Sequence, residues 1–207
     1  MYVVTTAEIR WFYKGEIPAD FLKWFGGFNG LFEEQAVRTD LYLKMNENTN
    51  YGIKLREGKF EVKKITANKG ILSANHVEGI ADTWIKWSLK ADEQEEIDMA
   101  FRDSAHWIEV EKKRMMQKFI PDDKGHLIPH PTEFFPPQGI SVELSRIFHN
   151  KEKFWTFGME AFGHDNEIVD LLQSCFRHFF AKRPPTALSL DHSFSYPEWL
   201  RYLSNQE

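Results

Sequence analysis

Apolar and polar residues alternate with a period of two along several stretches of the chain, which is typical of β-strands that bury one face. Short connections such as Glu57-Gly58 lie between these stretches, and connections of this length join antiparallel neighbours. The alternation therefore predicts a mainly antiparallel β fold. Its strands are predicted at Val4 to Tyr13, Ala36 to Lys44, Tyr51 to Arg56, Lys59 to Thr66, Thr83 to Lys90, His106 to Arg114, Ile140 to Phe148 and Phe154 to Phe162.

Helices are predicted in three places. A helix is predicted from Ala19 to Phe25, since Pro18 precedes it and Gly26-Gly27 follows it. A long C-terminal helix is predicted after Gly163, where apolar residues recur on one face, and a short one from Pro197 to Leu203. The fold class is therefore α+β.

Two stretches show neither period. Phe119 to Gly139 is rich in proline and is predicted to be a long loop, and the acidic run from Asp92 to Asp98 is predicted to be a solvated loop or a helix start. The chain of 207 residues contains no internal repeat and no low-complexity tract. A single domain is the simpler prediction.

The predicted strands have two chemically different faces. One face is almost wholly apolar and includes Ile9, Trp11, Val37, Leu41, Leu43, Ile53, Leu55, Phe60, Val62, Ile85, Trp87, Leu89, Ile108, Val110, Val142, Leu144, Phe157 and Met159. The other is almost wholly ionisable and includes Glu8, Arg10, Arg38, Asp40, Lys54, Arg56, Glu61, Lys63, Lys86, Lys90, Glu109, Glu111, Lys113, Glu143 and Glu160. An open sheet could show this face to water. Eight strands also suffice to close a barrel around it.

A barrel closed around the ionisable face would enclose a polar tunnel. Isolated buried charges are costly, so the two signs must pair with each other, with a metal or with a ligand. Unpaired Arg and Lys side chains would attract a polyanion, and the guanidinium fork suits phosphate oxygens. Clustered carboxylates would hold Mg²⁺ or Mn²⁺, which prefer oxygen ligands.

Composition narrows the class of protein. Hydrophobic residues make up 42% of the chain and charged residues 28%, which is ordinary for a globular protein. The net charge of −5 argues against a broad nucleic-acid-binding surface. A single cysteine, Cys175, and the lack of a signal peptide or an apolar run long enough to span a membrane predict a cytoplasmic protein.

Several segments, in order along the chain, resemble the CYTH superfamily of triphosphate tunnel metalloenzymes. They are Glu8-Ile9-Arg10, Arg38-Thr39-Asp40-Leu41-Tyr42-Leu43, Ile53-Lys54-Leu55-Arg56-Glu57-Gly58, Glu61-Val62-Lys63 and Phe154 to Gly163. The resemblance implies that residues 1–207 form one CYTH-like domain. Its fold would be an antiparallel barrel, or tunnel, of about eight strands with flanking helices.

The resemblance also implies roles for individual residues. The implied phosphate contacts are Arg38, Lys54, Arg56 and Lys63, with Lys86, Lys90 and Lys113 as possible additions. Arg10, on the same ionisable face, is a further candidate contact. The implied ligands of Mg²⁺ or Mn²⁺ are Glu8, Glu143 and Glu160, with Glu109 and Glu111 as weaker candidates. The implied partner is a phosphorylated small molecule or polyphosphate, and the implied reaction is metal-dependent hydrolysis.

The first strand departs from the family pattern. The family carries Glu-x-Glu-x-Lys there, and this chain has Glu8, Arg10 and Phe12. A cation therefore replaces the second carboxylate, so the sequence supports binding of a phosphate-rich anion better than its hydrolysis. Two alternatives remain open: a non-catalytic phospholigand sensor or adaptor, and an open-sheet interaction protein with no ligand.

Overall fold

The computed structural model describes residues 2–28, 33–45, 47–90, 105–134, 136–164 and 166–205. The acidic run at 92–98 lies outside the described residues. The strands are β1 (Tyr2–Lys14), β2 (Glu33–Glu34), β3 (Arg38–Leu43), β4 (Tyr51–Arg56), β5 (Lys59–Ala74), β6 (Val77–Lys90), β7 (Trp107–Pro121), β8 (Leu127–His130), β9 (Gly139–His149) and β10 (Glu152–Phe162). The helices are α1 (Ala19–Gly26), α2 (Ile168–Phe179) and α3 (Tyr196–Ser204), with a 3₁₀ turn at Leu190–His192. No helix in these ranges is both long enough and apolar enough to cross a bilayer.

Eight of the strands form a closed antiparallel ring. The strand order is β7-β3-β4-β5-β6-β1-β10-β9, and β9 pairs with β7 to complete the circle. The short strands β2 and β8 pair with β7 at the side of the ring. The predicted eight-stranded α+β barrel is therefore confirmed, and the alternative of an open sheet is wrong.

One hairpin is longer than the alternation predicted, and a second occurs where a loop was predicted. Strands β5 and β6 continue to a turn at Asn75 and His76, both of which have positive φ angles of 46° and 65°. Register shifts near Ile65 and Asn68 interrupt the period of two, so the sequence pattern ends there. Within the predicted loop from Phe119 to Gly139, β8 pairs with the end of β7.

The larger apolar core lies outside the barrel, between the wall and two helices. Helices α1 and α2 cover the outward side of β1, β9 and β10. Trp11 is at its centre, stacked on Phe157 and Phe176 at centroid distances of 6.0 and 6.4 Å. Fully burying a phenylalanine side chain, such as that of Phe157, contributes roughly 1.5–3 kcal/mol. This packing fixes which face of β1 points into the barrel.

A second apolar cluster lies inside the barrel at one end. It joins inward side chains of the wall to helix α3, and we call it the apolar end. Its buried members are Phe12, Tyr42, Ile108, Val110, Ile147, Phe154, Trp199, Leu200 and Leu203. Helix α3 begins with a capping box, in which Ser195 and Glu198 satisfy each other's backbone N–H groups. Its apolar residues then close this end of the barrel.

Candidate functional site

The ionisable face of the strands lines a cavity of about 860 Å³ inside the barrel. Among the described residues, nine cationic and five acidic side chains contribute to its wall. The cations are Arg10, Arg38, Lys54, Arg56, Lys63, Lys86, Lys112, Arg114 and Lys118, and the acids are Glu8, Glu61, Glu133, Glu143 and Glu160. The cavity wall therefore has a cationic excess of four, from nine minus five.

Lys63 bridges two carboxylates on neighbouring strands. Glu8 on β1 and Glu160 on β10 are direct cross-strand partners. The Lys63 ammonium donates to Glu8 Oε1 and lies 3.7 Å from Glu160 Oε2. Burial opposes its charge, but the carboxylates of Glu160 and Glu8 outweigh burial and raise the pKa of Lys63. Lys63 is therefore a permanent cation between these two acids.

Arg10 and Arg114 hold a third carboxylate. Arg10 Nη1 lies 3.2 Å from Glu143 Oε1 and 3.3 Å from Thr156 Oγ1, and its guanidinium lies 5.0 Å from the centre of the Tyr196 ring. Arg114 Nη1 lies 3.4 Å from Glu143 Oε2. Burial would raise the pKa of Glu143, but Arg10 and Arg114 hold it well below its usual range. Glu143 is therefore ionised.

Asp40 is fully buried beside the cavity wall and is held by two cations. Arg38 Nε lies 3.3 Å from Asp40 Oδ1, and Lys112 approaches the other oxygen. Burial would raise the pKa of Asp40, but Lys112 and Lys54 outweigh it and lower that pKa. Lys112 also donates to the Tyr42 hydroxyl. Both of its partners are counted among the nine cations of the wall, so Asp40 reduces the cationic excess from four to three.

Glu61 is shared by two cations of strand β4. Lys54 Nζ lies 2.8 Å from Glu61 Oε2, and Arg56 Nη2 lies 3.1 Å from Oε1. Burial and the neighbouring Arg56 lower the pKa of Lys54 to about 7, although Asp40 and Glu61 oppose this. The Lys54 ammonium therefore titrates near neutral pH.

The structure brings most of the predicted site residues into one cavity. Glu8, Arg10, Arg38, Lys54, Arg56, Lys63, Lys86, Glu143 and Glu160 all contribute to its wall. Lys90 is exposed near the end of β6 and does not line the cavity. The period of two on β1, β3, β4, β5 and β10 therefore identified the inward face correctly.

The predicted inward face of β7 is wrong. Glu109 and Glu111 are exposed on the outer surface, and Lys113 pairs there with Glu34 at 3.0 Å. The cross-strand partners of Asp40 and Tyr42 are Val110 and Ile108, so the even-numbered residues of β7 face inward. The prediction placed apolar residues on the outward face. Ile108 and Val110 are apolar but point inward, because they belong to the apolar end of the barrel.

Correcting the face of β7 adds three cations to the site. Lys112, Arg114 and Lys118 follow Val110 on even-numbered positions, and all line the cavity. Lys118 Nζ also donates to the Thr132 carbonyl at 2.7 Å, which ties the 131–134 segment to the wall. The run Lys112-Lys113-Arg114 shows no alternation, so no local pattern separates the inward cations from the outward Lys113. Tyr196, which also lines the cavity, belongs to a helix whose position no local pattern gives.

The carboxylates implied as metal ligands do not form a set that fits a divalent cation. In the described part of the chain, no group of three His, Cys, Asp or Glu side chains comes together in a metal-binding arrangement. Glu8, Glu143 and Glu160 each pair with a lysine or an arginine. Glu109 and Glu111 lie outside the cavity. The chemistry of the wall is therefore that of ion pairs with surplus cations.

No protein family and no curated protein matches this chain. Among solved structures, a conserved hypothetical protein from Pyrococcus furiosus is similar at 15% identity with a TM-score of 0.47, over 93% of this chain and 98% of that one. The Pct1 RNA triphosphatase of S. pombe is similar at 10% identity with a TM-score of 0.39, over 99% and 82%. Neither likeness decides the fold, which the closed ring of strands establishes by itself.

Proposed function

We propose that the barrel cavity binds a phosphate-rich anion, such as a triphosphate or a nucleotide-like molecule. The observation that carries this proposal is the excess of nine cationic over five acidic side chains in the cavity wall. Counting the buried Asp40 as a sixth acid still leaves three cations in excess. Like charges repel strongly in a partly buried site, so an anion that offsets the excess stabilises the wall.

The size and charge of a triphosphate suit this cavity. A triphosphate group carries about four negative charges near neutral pH, because its terminal phosphate contributes up to about two. The volume of about 860 Å³ is within the usual range for small-molecule sites. Four of the lining cations are arginines, whose planar forks donate two parallel hydrogen bonds to phosphate oxygens.

The proposed contacts follow from the positions of the side chains. Arg56 Nε and the Tyr196 hydroxyl are buried and make no hydrogen bond to the described residues. Such groups cost free energy until an acceptor reaches them. The side chains proposed to contact phosphate are Arg10, Arg38, Lys54, Arg56, Lys63, Lys86, Lys112 and Arg114.

Hydrolysis stays a prediction. It would require Mg²⁺ or Mn²⁺ at Glu8, Glu143 and Glu160, and these acids are engaged by Lys63 and Arg10. A phospholigand sensor or adaptor uses the same cavity without turnover. Measuring phosphate released from tripolyphosphate and from ATP, with and without Mn²⁺, separates the two functions.

A thermal-shift titration with tripolyphosphate and with ATP tests the proposed binding. Ligand at about a hundredfold over its dissociation constant stabilises the folded state by about 2.7 kcal/mol. We expect Arg56→Gln to weaken binding at least about fivefold, since it removes one charge-assisted phosphate contact. The matched control, Lys113→Gln on the outer face of β7, should bind as the wild type does. No stabilisation by either anion at millimolar concentration would show that the cavity does not bind polyphosphates.

A further inference from the structure

The carboxylates on β1 and β10 already have a cation between them. Glu8 and Glu160 face each other across the two strands, and the Lys63 ammonium contacts both. Thr6 Oγ1 donates a further hydrogen bond to Glu8 Oε1 at 2.6 Å. A metal ion could reach both carboxylates only by displacing the half-buried Lys63, which would then lack its partners.

Arg10 lies in a socket formed by the wall. Residue 158 on β10 is opposite Arg10 and is a glycine; a Cβ there would lie 2.7 Å from the guanidinium carbon. The hydroxyl of the fully buried Thr156 accepts a hydrogen bond from Arg10. The ring of Tyr196 lies against the Arg10 guanidinium. The absence of a side chain at Gly158 therefore leaves room for the guanidinium.

The third carboxylate, Glu143, also forms ion pairs with cationic side chains of the wall. Arg10 and Arg114 approach its two oxygens from two sides, at 3.2 and 3.4 Å. A divalent cation at Glu143 would lie against both guanidinium groups, and their charges would repel it. Because arginine cannot lose its proton at physiological pH, no ordinary change of conditions removes this repulsion.

We propose that Arg10 and Lys63 stand in place of a divalent cation, so that the cavity binds its polyanion free of metal. This inference rests on the proposed function, because it specifies the form in which the phosphate-rich anion binds. Arg10 and Lys63 neutralise the carboxylates and, as multiple donors in the cavity wall, also contact the phosphates together with the other cations of the wall. Mg²⁺ in solution then competes with the protein for the anion.

Titrating tripolyphosphate in EDTA and in excess Mg²⁺, with thermal stability as the readout, tests this inference. We expect stabilisation in EDTA, with a higher apparent dissociation constant when excess Mg²⁺ is present. Equal or tighter binding with Mg²⁺ would overturn metal-free binding while leaving the proposed function intact. No stabilisation under either condition would instead overturn the proposed function, and this inference with it.

Two further measurements do not depend on the ligand assay. The electron paramagnetic resonance signal of free Mn²⁺ should be unchanged by a molar excess of wild-type protein, and loss of the signal would contradict the inference. Arg10→Glu should gain Mn²⁺ binding in the same measurement, since it adds a carboxylate and removes a cation. Arg114→Glu is the matched control, because it also introduces a carboxylate near Glu143 but at a position that does not adjoin Gly158. It should bind Mn²⁺ more weakly than Arg10→Glu does. If both variants bind Mn²⁺ equally, Arg10 has no special role.

Discussion

The ammonium group of Lys112 lies 3.2 Å from the carboxylate of Asp40, with 3% and 0% of the two side chains exposed. Lys112 is on β7 and Asp40 on β3, so the pair joins two strands of the ring. Lys113, the next residue along β7, points to the outer surface, and its side chain is 37% exposed. These adjacent lysines therefore differ in environment while sharing their chemistry.

Replacing each lysine by methionine should separate the two environments. Lys112→Met leaves Asp40 buried with Arg38 as its remaining ion-pair partner, and breaking a buried pair from one side typically costs about 3 kcal/mol. Lys113→Met loses a surface pair with Glu34, worth less than about 1 kcal/mol. Urea denaturation measures both. Equal losses of stability would show that β7 does not have the orientation described.

Gly158→Ala should weaken anion binding more than it weakens the fold. The new methyl group would meet Arg10 Cζ at 2.7 Å, Nη2 at 2.9 Å and Nε at 3.0 Å, so the flexible guanidinium must move away. Overpacking of this kind costs about 1–3 kcal/mol, at the lower end where a side chain can shift. We expect at least about a fivefold loss of tripolyphosphate affinity by calorimetry, because the displaced guanidinium loses a charge-assisted phosphate contact.

Gly26→Ala is the control for this substitution, because a Cβ there would meet nothing within 4 Å. It should leave affinity unchanged. Unchanged affinity in Gly158→Ala as well would mean that the position of Arg10 does not matter for binding.

Binding should depend on pH through Lys54. Burial and Arg56 lower its pKa to about 7, with Lys112 acting in the same direction and Asp40 and Glu61 against it. Lys54 therefore gains its charge as the pH falls from about 8 to about 6, and the gained charge favours an anion. Near about pH 6, the wild type should bind the anion several-fold more tightly than Lys54→Met does. Above about pH 8, the two affinities should be nearly equal. Taking the ratio of the two affinities cancels the ionisation of the ligand, and a ratio that does not vary with pH would refute this role.

Asp82→Asn should stabilise the protein at neutral pH. Burial, followed by the nearby Glu198, raises the pKa of Asp82 to about 6, although the Asn68 amide donates to it at 2.9 Å. Between about pH 4 and pH 6 the folded state therefore holds a proton that the unfolded chain has released. Stability then falls as the pH rises through this window.

Asparagine at position 82 cannot ionise and can still accept the hydrogen bond from Asn68. The variant therefore avoids the loss of stability that accompanies ionisation of Asp82. We expect a gain of about 1–2 kcal/mol in the free energy of unfolding at about pH 7.5, because each tenfold change in proton affinity between the two states corresponds to about 1.4 kcal/mol. The gain should vanish near about pH 3, where Asp82 is protonated in both states. Denaturation at the two pH values measures it, and a gain of the same size at both would have another cause.

The sequence was sufficient to predict the barrel and most of its interior. On β1, Ile9 and Trp11 alternate with Glu8 and Arg10, because the helices cover one face and the cavity adjoins the other. Where each face has a uniform chemistry, a period of two identifies both faces.

The prediction failed where that uniformity ends. Phe12, Ile108 and Val110 are apolar but face inward, because helix α3 meets them inside the barrel. The position of α3 depends on contacts between residues far apart in the sequence, such as the stacking of Phe12 on Trp199. No local pattern carries that information, so the inward direction of Lys112 could not be derived from it.

The apolar end of the barrel also limits how a long ligand can be held. Phe12 and Trp199 stack at 4.8 Å with their planes inclined by 8°, and no phosphate chain can thread between them. A polyphosphate would therefore enter from the end opposite the apolar end, with its terminal phosphate deepest in the cavity and the rest of the chain outside the barrel. A barrel that binds a polyphosphate in this way would recognise the end of the chain and be indifferent to its length.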